Sequence, residues 1–470
     1  MVGPRGWSAR AGARPTLERV ETPSPAQITG TTAAEIAASV RSLVERGDLA
    51  PGALLPPVRS LAEQLGINRN TAVAAYRRLA RDGAVVAQGR AGTRIADPRP
   101  VAQEGYADAG SLAHPGTDAP AGTLRDLGTG NPAPALIPDL APALTGAVGR
   151  PVLYGEPVID PGFEAWARAW VAPDVPDGGS TRLTLTSGAV DAIERLLTQA
   201  LVRDDAVALE DPCFLASIQT VRHAGYRALP VPVDAEGMTP DGLRAALEAG
   251  ARAVVLTPRA QNPTGASLSE ARALALREVL AEHPYVLVVL DDYFSFLSRR
   301  PFRSPLPLGH RRWALVRSVS KFLGPDLCLA VTATDAGTAQ RLALRLSPGT
   351  TWVSHLLQRL AHGVLTDPAA QELIEQAGEH YATRNAEVAA LLAARGIEVA
   401  PADGMSLWVT LPSPATPVAE GLARRGWLVR TGEDFLLVPG AEPSRHLRAT
   451  VHDLSVAEAE RFARDLAAEM

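Results

Sequence analysis

Ser318-Val319-Ser320-Lys321 decides how this chain is read, because Lys321 is the only lysine in 470 residues that carry 46 lysines and arginines together. A guanidinium stays protonated and condenses poorly with an aldehyde, whereas a buried ammonium can lose its proton and serve as nucleophile or Schiff-base partner. Position 321 therefore calls for an amine. Two hydroxyls just before it, on Ser318 and Ser320, are donors for an anionic group held beside an imine. Together they point to a pyridoxal-phosphate lysine. The plainer alternative is one lysine left by chance in a chain rich in Ala, Arg, Gly and Pro.

The flanking sequence weighs against chance. From Leu124 onward strand and helix patterns alternate, which predicts an α/β domain with a largely parallel sheet. Leu183–Ala189 runs from strand into a helix with Ile193, Leu196, Leu197, Ala200 and Leu201 on one face. Ser187, Gly188 and Ala189 thus sit at a helix N-terminus, where free N–H groups and the dipole favour a phosphate. Val254–Pro258 leads into Gln261-Asn262-Pro263-Thr264-Gly265, a strand followed by a fixed turn. Val286–Leu290 is a fully apolar strand that ends in Asp291-Asp292-Tyr293. A carboxylate there is costly unless paired, and a protonated pyridine nitrogen is such a partner. One ligand then absorbs each polar group: aldehyde to Lys321, phosphate to the Ser187 turn and Ser318, ring nitrogen to an Asp, ring hydroxyl to Asn262 and Tyr293.

This order and spacing resemble the fold-type I aminotransferases across residues 125 to 470, with a large mixed or parallel-sheet domain and a smaller C-terminal one. The resemblance implies that Lys321, Asn262 and the Ser318 and Ser320 hydroxyls hold pyridoxal 5'-phosphate. Asp291 takes the ring nitrogen, since Tyr293 then lies one residue beyond its neighbour as in related fused regulators; Asp292 is the alternative. Leu153-Tyr154-Gly155-Glu156-Pro157 resembles the segment whose tyrosine reaches the phosphate of a neighbouring subunit. Glu210-Asp211-Pro212-Cys213-Phe214 resembles the segment that stacks an aromatic, here Phe214, on the pyridine ring. His446-Leu447-Arg448-Ala449-Thr450-Val451 resembles the strand whose arginine, Arg448, grips a substrate carboxylate. One departure stands out: the family's phosphate-clamping arginine, seven residues after the lysine, is Cys328. With Cys213 also placed near the cofactor, the resemblance makes a thiol switch conceivable.

Ahead of this domain, Thr32-Ala33-Ala34-Glu35 is a capping box, and Ile36, Val40, Leu43 and Val44 follow at helical spacing until Gly47. Val58, Leu61, Ala62 and Leu65 predict a second helix ended by Gly66. A third, beginning near Asn68 or Asn70, turns Val73, Tyr76, Leu79 and Ala80 inward. Ala84–Ala87, a turn at 88–92 and Thr93–Ile95 then form a hairpin. Three helices and a basic hairpin make a winged helix-turn-helix. Between Asn68 and Arg94 six arginines face one acid, a local basic patch on a chain of net charge −5. Leu55–Ala62 and Asn68–Tyr76 resemble the GntR-type DNA-binding domain, which implies that Arg59, Arg69, Asn70 and Thr71 contact double-stranded DNA and that Gly92 and Thr93 lie at the wing tip.

The expected layout is a flexible tail over 1–30, the DNA-binding domain over 31–97, a linker over 98–124 and the cofactor domain over 125–470. Two cysteines form neither a disulfide framework nor a zinc site, and no metal is expected. No apolar run approaches the ~18 residues of a membrane span and no secretory core is present, so a cytoplasmic protein is expected. A reader fused to an aminotransferase-like domain resembles the MocR (GabR-like) family of bacterial transcription regulators. Arg259–Gly265 and Arg317–Asp326 resemble the branch linked to vitamin B6 metabolism. The resemblance implies a head-to-tail homodimer that senses an amino compound or a B6 vitamer. The rival readings are a working aminotransferase with an attached DNA-binding domain, and a DNA-binding protein whose pocket holds no cofactor.

Overall fold

The computed structural model describes residues 28–81, 83–87, 92–95, 124–176, 181–346, 352–399, 402–437 and 442–470. Residues 88–91 of the turn expected at 88–92, residues 1–27 of the tail expected at 1–30, residues 96–97 of the expected DNA-binding domain and residues 98–123 of the linker expected at 98–124 lie outside the described residues. The chain divides into one unit within 1–99 and another within 100–470.

In the first unit α1 (Ala33–Glu45), α2 (Val58–Leu65) and α3 (Arg69–Arg81) precede an antiparallel pair, β1 (Val85–Ala87) and β2 (Thr93–Ile95). The capping box forms: Thr32 Oγ1 accepts the Glu35 N–H, and Glu35 accepts the Thr32 N–H in return. Gly66 ends α2 in the left-handed region at φ +63°. Ile36, Val40, Leu43, Leu61, Tyr76, Leu79, Val85 and Ile95 share one core. The inward face of α3 is Ala72, Ala75, Tyr76 and Leu79; Val73 is only half-buried and Ala80 is exposed, contrary to the periodicity reading. Alanines let α3 approach α1 closely, so the face turns toward them. The Tyr76 hydroxyl donates to the Pro56 carbonyl at 2.7 Å, tying α3 to the turn before α2.

In the second unit β3 (Arg125–Asp126) comes first, and eight strands form the main sheet. These are β4 (Arg182–Thr186), β5 (Ala206–Asp211), β6 (Arg227–Asp234), β7 (Gly237–Met238), β8 (Ala251–Leu256), β9 (Leu287–Asp291), β10 (Trp313–Ser318) and β11 (Ala330–Thr334), in the order β4-β11-β10-β9-β8-β5-β6-β7. β10, β9, β8, β5 and β6 run parallel; β11 and β7 are antiparallel to their neighbours. Because β11 is antiparallel to both β10 and β4, β4 runs in the direction of β10. The central parallel strands β5, β8, β9 and β10 are buried along most of their length on both faces, as their largely apolar sequences require, whereas β6 toward the edge is mostly exposed or half-buried. A smaller sheet of β12 (Ser406–Thr410), β14 (Arg430–Thr431) and β15 (His446–Thr450) has its own core around Leu407, Trp427, Leu447 and Phe462. β13 (Trp427–Leu428) pairs with β3, attaching the start of this unit to the smaller layer.

The topology fixes the site. β4, β5, β8, β9 and β10 all deliver their carboxyl ends to one edge of the sheet, where open α/β sheets bind ligands. Ser187, Asp211–Phe214, Asn262, Asp291–Tyr293 and Lys321 follow or end those strands.

Candidate functional site

Lys321, Asn262, Tyr293, Gly130 and Arg448 line one cleft. Lys321 is partly buried, and its Nζ donates to the Gly130 carbonyl at 2.8 Å. Burial pushes its ammonium down to about 8. About a tenth of the amine is then neutral at pH 7, far more than for a free lysine side chain.

The two adjacent aspartates differ sharply. Asp292 accepts from Arg259 Nε at 2.7 Å, Arg259 Nη2 at 2.9 Å and Arg317 Nε at 2.8 Å. Arg317 also pairs with Asp174 and lies over Trp170 and Phe302, its guanidinium carbon 5.3 and 5.2 Å from their ring centres. Burial alone would raise the Asp292 carboxyl, but the two arginines outweigh it and hold it below its ordinary value. Asp291 is equally buried, yet its Oδ1 has no partner; burial and the Asp292 charge push it up to about 7. Asp292 is occupied in structure, and Asp291 keeps an open acceptor. Beside it Glu210 accepts from the Thr257 N–H at 3.1 Å and Gln261 Nε2 at 3.3 Å, with burial pushing it up to about 8.

Arg448 is fully buried, and burial pushes its guanidinium down to about 9. It donates to Asn262 Oδ1 at 3.1 Å and to the Gly128 carbonyl at 2.5 Å, and lies 5.0 Å from the Phe435 ring centre. Tyr293 donates its hydroxyl to the Ala260 carbonyl at 2.6 Å. Phe214 caps the helix Leu215–His223, and the loop before it is held by Cys213 N–H donating to the Phe435 carbonyl at 2.9 Å. Gly188, at φ +88°, opens the helix Ala189–Thr198. The Ser187 N–H donates to Asp191 Oδ2 at 3.0 Å. A Cβ on Gly188 would meet Cys328 Sγ at 3.8 Å, so the thiol borders this turn where the clamping arginine was expected. Ser318 donates its hydroxyl to Ser320 Oγ at 2.9 Å. Tyr154 does not line the cleft: it is 93% exposed and packs edge-on against Trp352 at 5.9 Å.

In the first unit Arg59, Arg69 and Asn70 are exposed and Thr71 is half-buried. Asn68 Oδ1 accepts the Asn70 N–H at 2.8 Å, ordering the start of α3. Arg59 reaches Glu63 at 3.5 Å, an exposed pair that is readily given up to a phosphate. Gly92, at φ +89°, leaves no room for a side chain, since a Cβ would stand 2.8 Å from Leu54 Cδ1. Thr93 is anchored by the Leu55 N–H donating to its carbonyl at 2.8 Å.

Sequence reasoning missed the Gly130 carbonyl that holds Lys321, the buried Glu210–Gln261 pair and the arginines that pair with Asp292. Arg259 and Arg317 were visible in the quoted strings; their convergence on one carboxylate was not. Among the described residues, no cluster of His, Cys, Asp and Glu could hold a metal ion.

Residues 123–466 match the family Aminotransferase class I and II, and residues 32–95 match Bacterial regulatory proteins, gntR family. The vitamin B6 salvage pathway transcriptional repressor PtsJ of Salmonella typhimurium is 45% identical over 440 residues, covering 93% of this chain and 98% of that protein. The HTH-type pyridoxine biosynthesis transcriptional regulator PdxR of Corynebacterium glutamicum is 27% identical over 327 residues, 66% of this chain and 67% of that one. The fold is also that of kynurenine aminotransferase from Pyrococcus horikoshii, with a TM-score of 0.67 at 20% identity over 74% of this chain and 91% of that one.

Proposed function

This chain belongs to the MocR (GabR-like) family of transcription regulators, and we propose that its winged-helix unit reads an operator under the control of pyridoxal phosphate held at Lys321. The observation that carries this reading is the cleft itself: a partly buried amine whose pKa is lowered to about 8, beside Asn262, Tyr293 and Arg448, on the chain that carries the DNA reader. The donor set fits the cofactor. Asp291 brings the open buried acceptor that a protonated ring nitrogen requires. Asn262 and Tyr293 stand where polar groups can meet a ring hydroxyl, the turn at Ser187–Ala189 and Ser318 suit a phosphate, and Phe214 can cover the ring. Bound there, pyridoxal phosphate supplies an aldehyde carbon for the amine and a ring that withdraws electrons from it.

Cys328 argues for a sensor. Without the clamping arginine the hold on the phosphate weakens by ~1.5–3 kcal/mol, so occupancy follows the free concentration of the cofactor. The names of the B6-linked relatives support that signal over an unrelated amino compound. A second copy, laid head-to-tail on the exposed Val148, Leu153 and Tyr154, would bring Tyr154 toward a phosphate. No described helix is long and apolar enough to cross a membrane, which suits a regulator that meets DNA in the cytoplasm. A second reading, amino transfer, is favoured by Arg448 at the cleft; it requires steady conversion of an amino acid and a keto acid.

The test is titration of operator binding with pyridoxal phosphate, wild type beside Lys321→Ala, together with visible absorbance before and after borohydride. A band that borohydride removes, absent from the variant, and a cofactor response of DNA affinity in wild type alone are expected. Equal responses in both proteins, or no band in wild type, would sink the proposal.

A further inference from the structure

Arg448, Thr450 and His452 occupy alternate positions running out of β15, and all three grip the same short segment, Leu127–Asn131. Arg448 Nη2 donates to the Gly128 carbonyl, Thr450 Oγ1 accepts the Gly130 N–H at 3.2 Å, and the Thr450 N–H donates to the Leu127 carbonyl at 2.7 Å. His452 Nε2 lies 2.8 Å from the Asn131 carbonyl, so it carries the proton and donates. The Gly130 N–H and the Asn131 carbonyl are therefore both pinned. Between them stands the Gly130 carbonyl that receives Lys321 Nζ. Gly130 sits at φ +61°, so its backbone conformation disfavours other residues.

We infer that His452 is a positioning residue for Lys321: by pinning the Asn131 carbonyl, with Thr450 pinning the Gly130 N–H, it aims the Gly130 carbonyl at the amine. His452 is 4% exposed and wedged edge-on against Tyr381 at 4.9 Å, which fixes its ring. Its Nδ1 has no partner, and burial holds its pKa below the ordinary histidine value. It is neutral at pH 7 and acts as a hydrogen-bond donor, not as a charge. His380, Tyr381, Asp453 and Lys321 itself are the ionisable groups around it; Tyr293, Asp403 and Arg448 line the cleft with Lys321.

The carbonyl accepts from the charged amine and so favours the protonated form. Loosening it must lower the pKa of Lys321. With one lysine in the chain, that pKa can be read directly in cofactor-free protein, from the pH dependence of Lys321 acylation by acetic anhydride followed by peptide mass spectrometry. His452→Ala should move the midpoint down by about half to one pH unit. His452→Gln, which keeps a donor near the position of Nε2, should restore it. Thr450→Val, tested beside them, should move it down as well and keeps the inference testable if His452→Ala does not fold. An unchanged midpoint in folded His452→Ala or Thr450→Val overturns the inference. So does an upward shift, which would mark His452 as a buried cation repelling the ammonium. The inference rests on Lys321 as the reactive amine of the proposed function. Because the profile is read without cofactor, failure of pyridoxal phosphate to bind would leave it intact.

Discussion

Arg59, Arg69 and Asn70 stand exposed near the starts of α2 and α3, whereas Glu210, Asp291, Asp292 and Arg448 of the second unit are buried. The first set is held by short local contacts, such as the Asn68 turn, and keeps ordinary solvation until a polyanion arrives. The second is stripped of water, and each member is either paired or displaced from its usual protonation range. On the proposed function, a surface meant to read a charged polymer needs donors left free, and a cleft meant to capture a carbonyl compound needs its chemistry prepared by desolvation. One chain thus carries both strategies, and substitutions in each unit should fail differently.

The largest effect should come from the ion pairs. Asp292→Asn removes the buried charge shared by Arg259 and Arg317, leaving Arg317 only Asp174 among the described carboxylates, and should cost ~3–5 kcal/mol in denaturant unfolding of the second unit. Asp291→Asn, one residue away, should leave stability equal or higher and lower pyridoxal-phosphate affinity instead; equal costs at both positions would erase the contrast drawn here. Next, Arg69→Ala should weaken operator binding by ~1–3 kcal/mol in fluorescence anisotropy while the cofactor band stays unchanged. Untouched affinity would remove Arg69 from the reading surface.

A further effect is spread over pH. Carboxyls raised in the folded state, Asp291 to about 7 and Glu210 to about 8, contribute stability that is complete near pH 4 and is lost as pH rises through those values. Each carboxyl contributes about 1.4 kcal/mol per pH unit between its unfolded and folded values, so cofactor-free protein should lose roughly 1–3 kcal/mol per pH unit across that window. The double variant Asp291→Asn, Glu210→Gln should flatten the melting-temperature profile from pH 5 to 8. A wild-type profile already flat there would mean that the two carboxyls are better solvated than their burial implies.

Much of this was legible in sequence, because it is written in local pattern. The Thr32–Glu35 capping box, the stop at Gly66, the strand ending at Asp291 and the lone amine at 321 need only neighbouring residues to declare themselves. What escaped was phase and convergence. On α3, alanines at 72 and 75 displaced Val73 and Ala80 from the inward face, since in an alanine-rich run close backbone approach sets the rotation. Alternation puts Asp291 and Asp292 on opposite faces of a strand end, but both sides are buried, and what tells them apart is the pairing of Asp292 with arginines distant in sequence. The strap from Leu127 to Asn131 acts largely through main-chain carbonyls, which no motif records.

The solitude of Lys321 has a consequence for what can mark this protein covalently. Every other cationic side chain among its 46 lysines and arginines is a guanidinium, so reagents and enzymes that acylate, glycate or conjugate ammonium groups find no decoy side chain on the surface. A reactive aldehyde that meets this chain has one lysine to condense with, and that lysine lies in the cleft beneath Gly130.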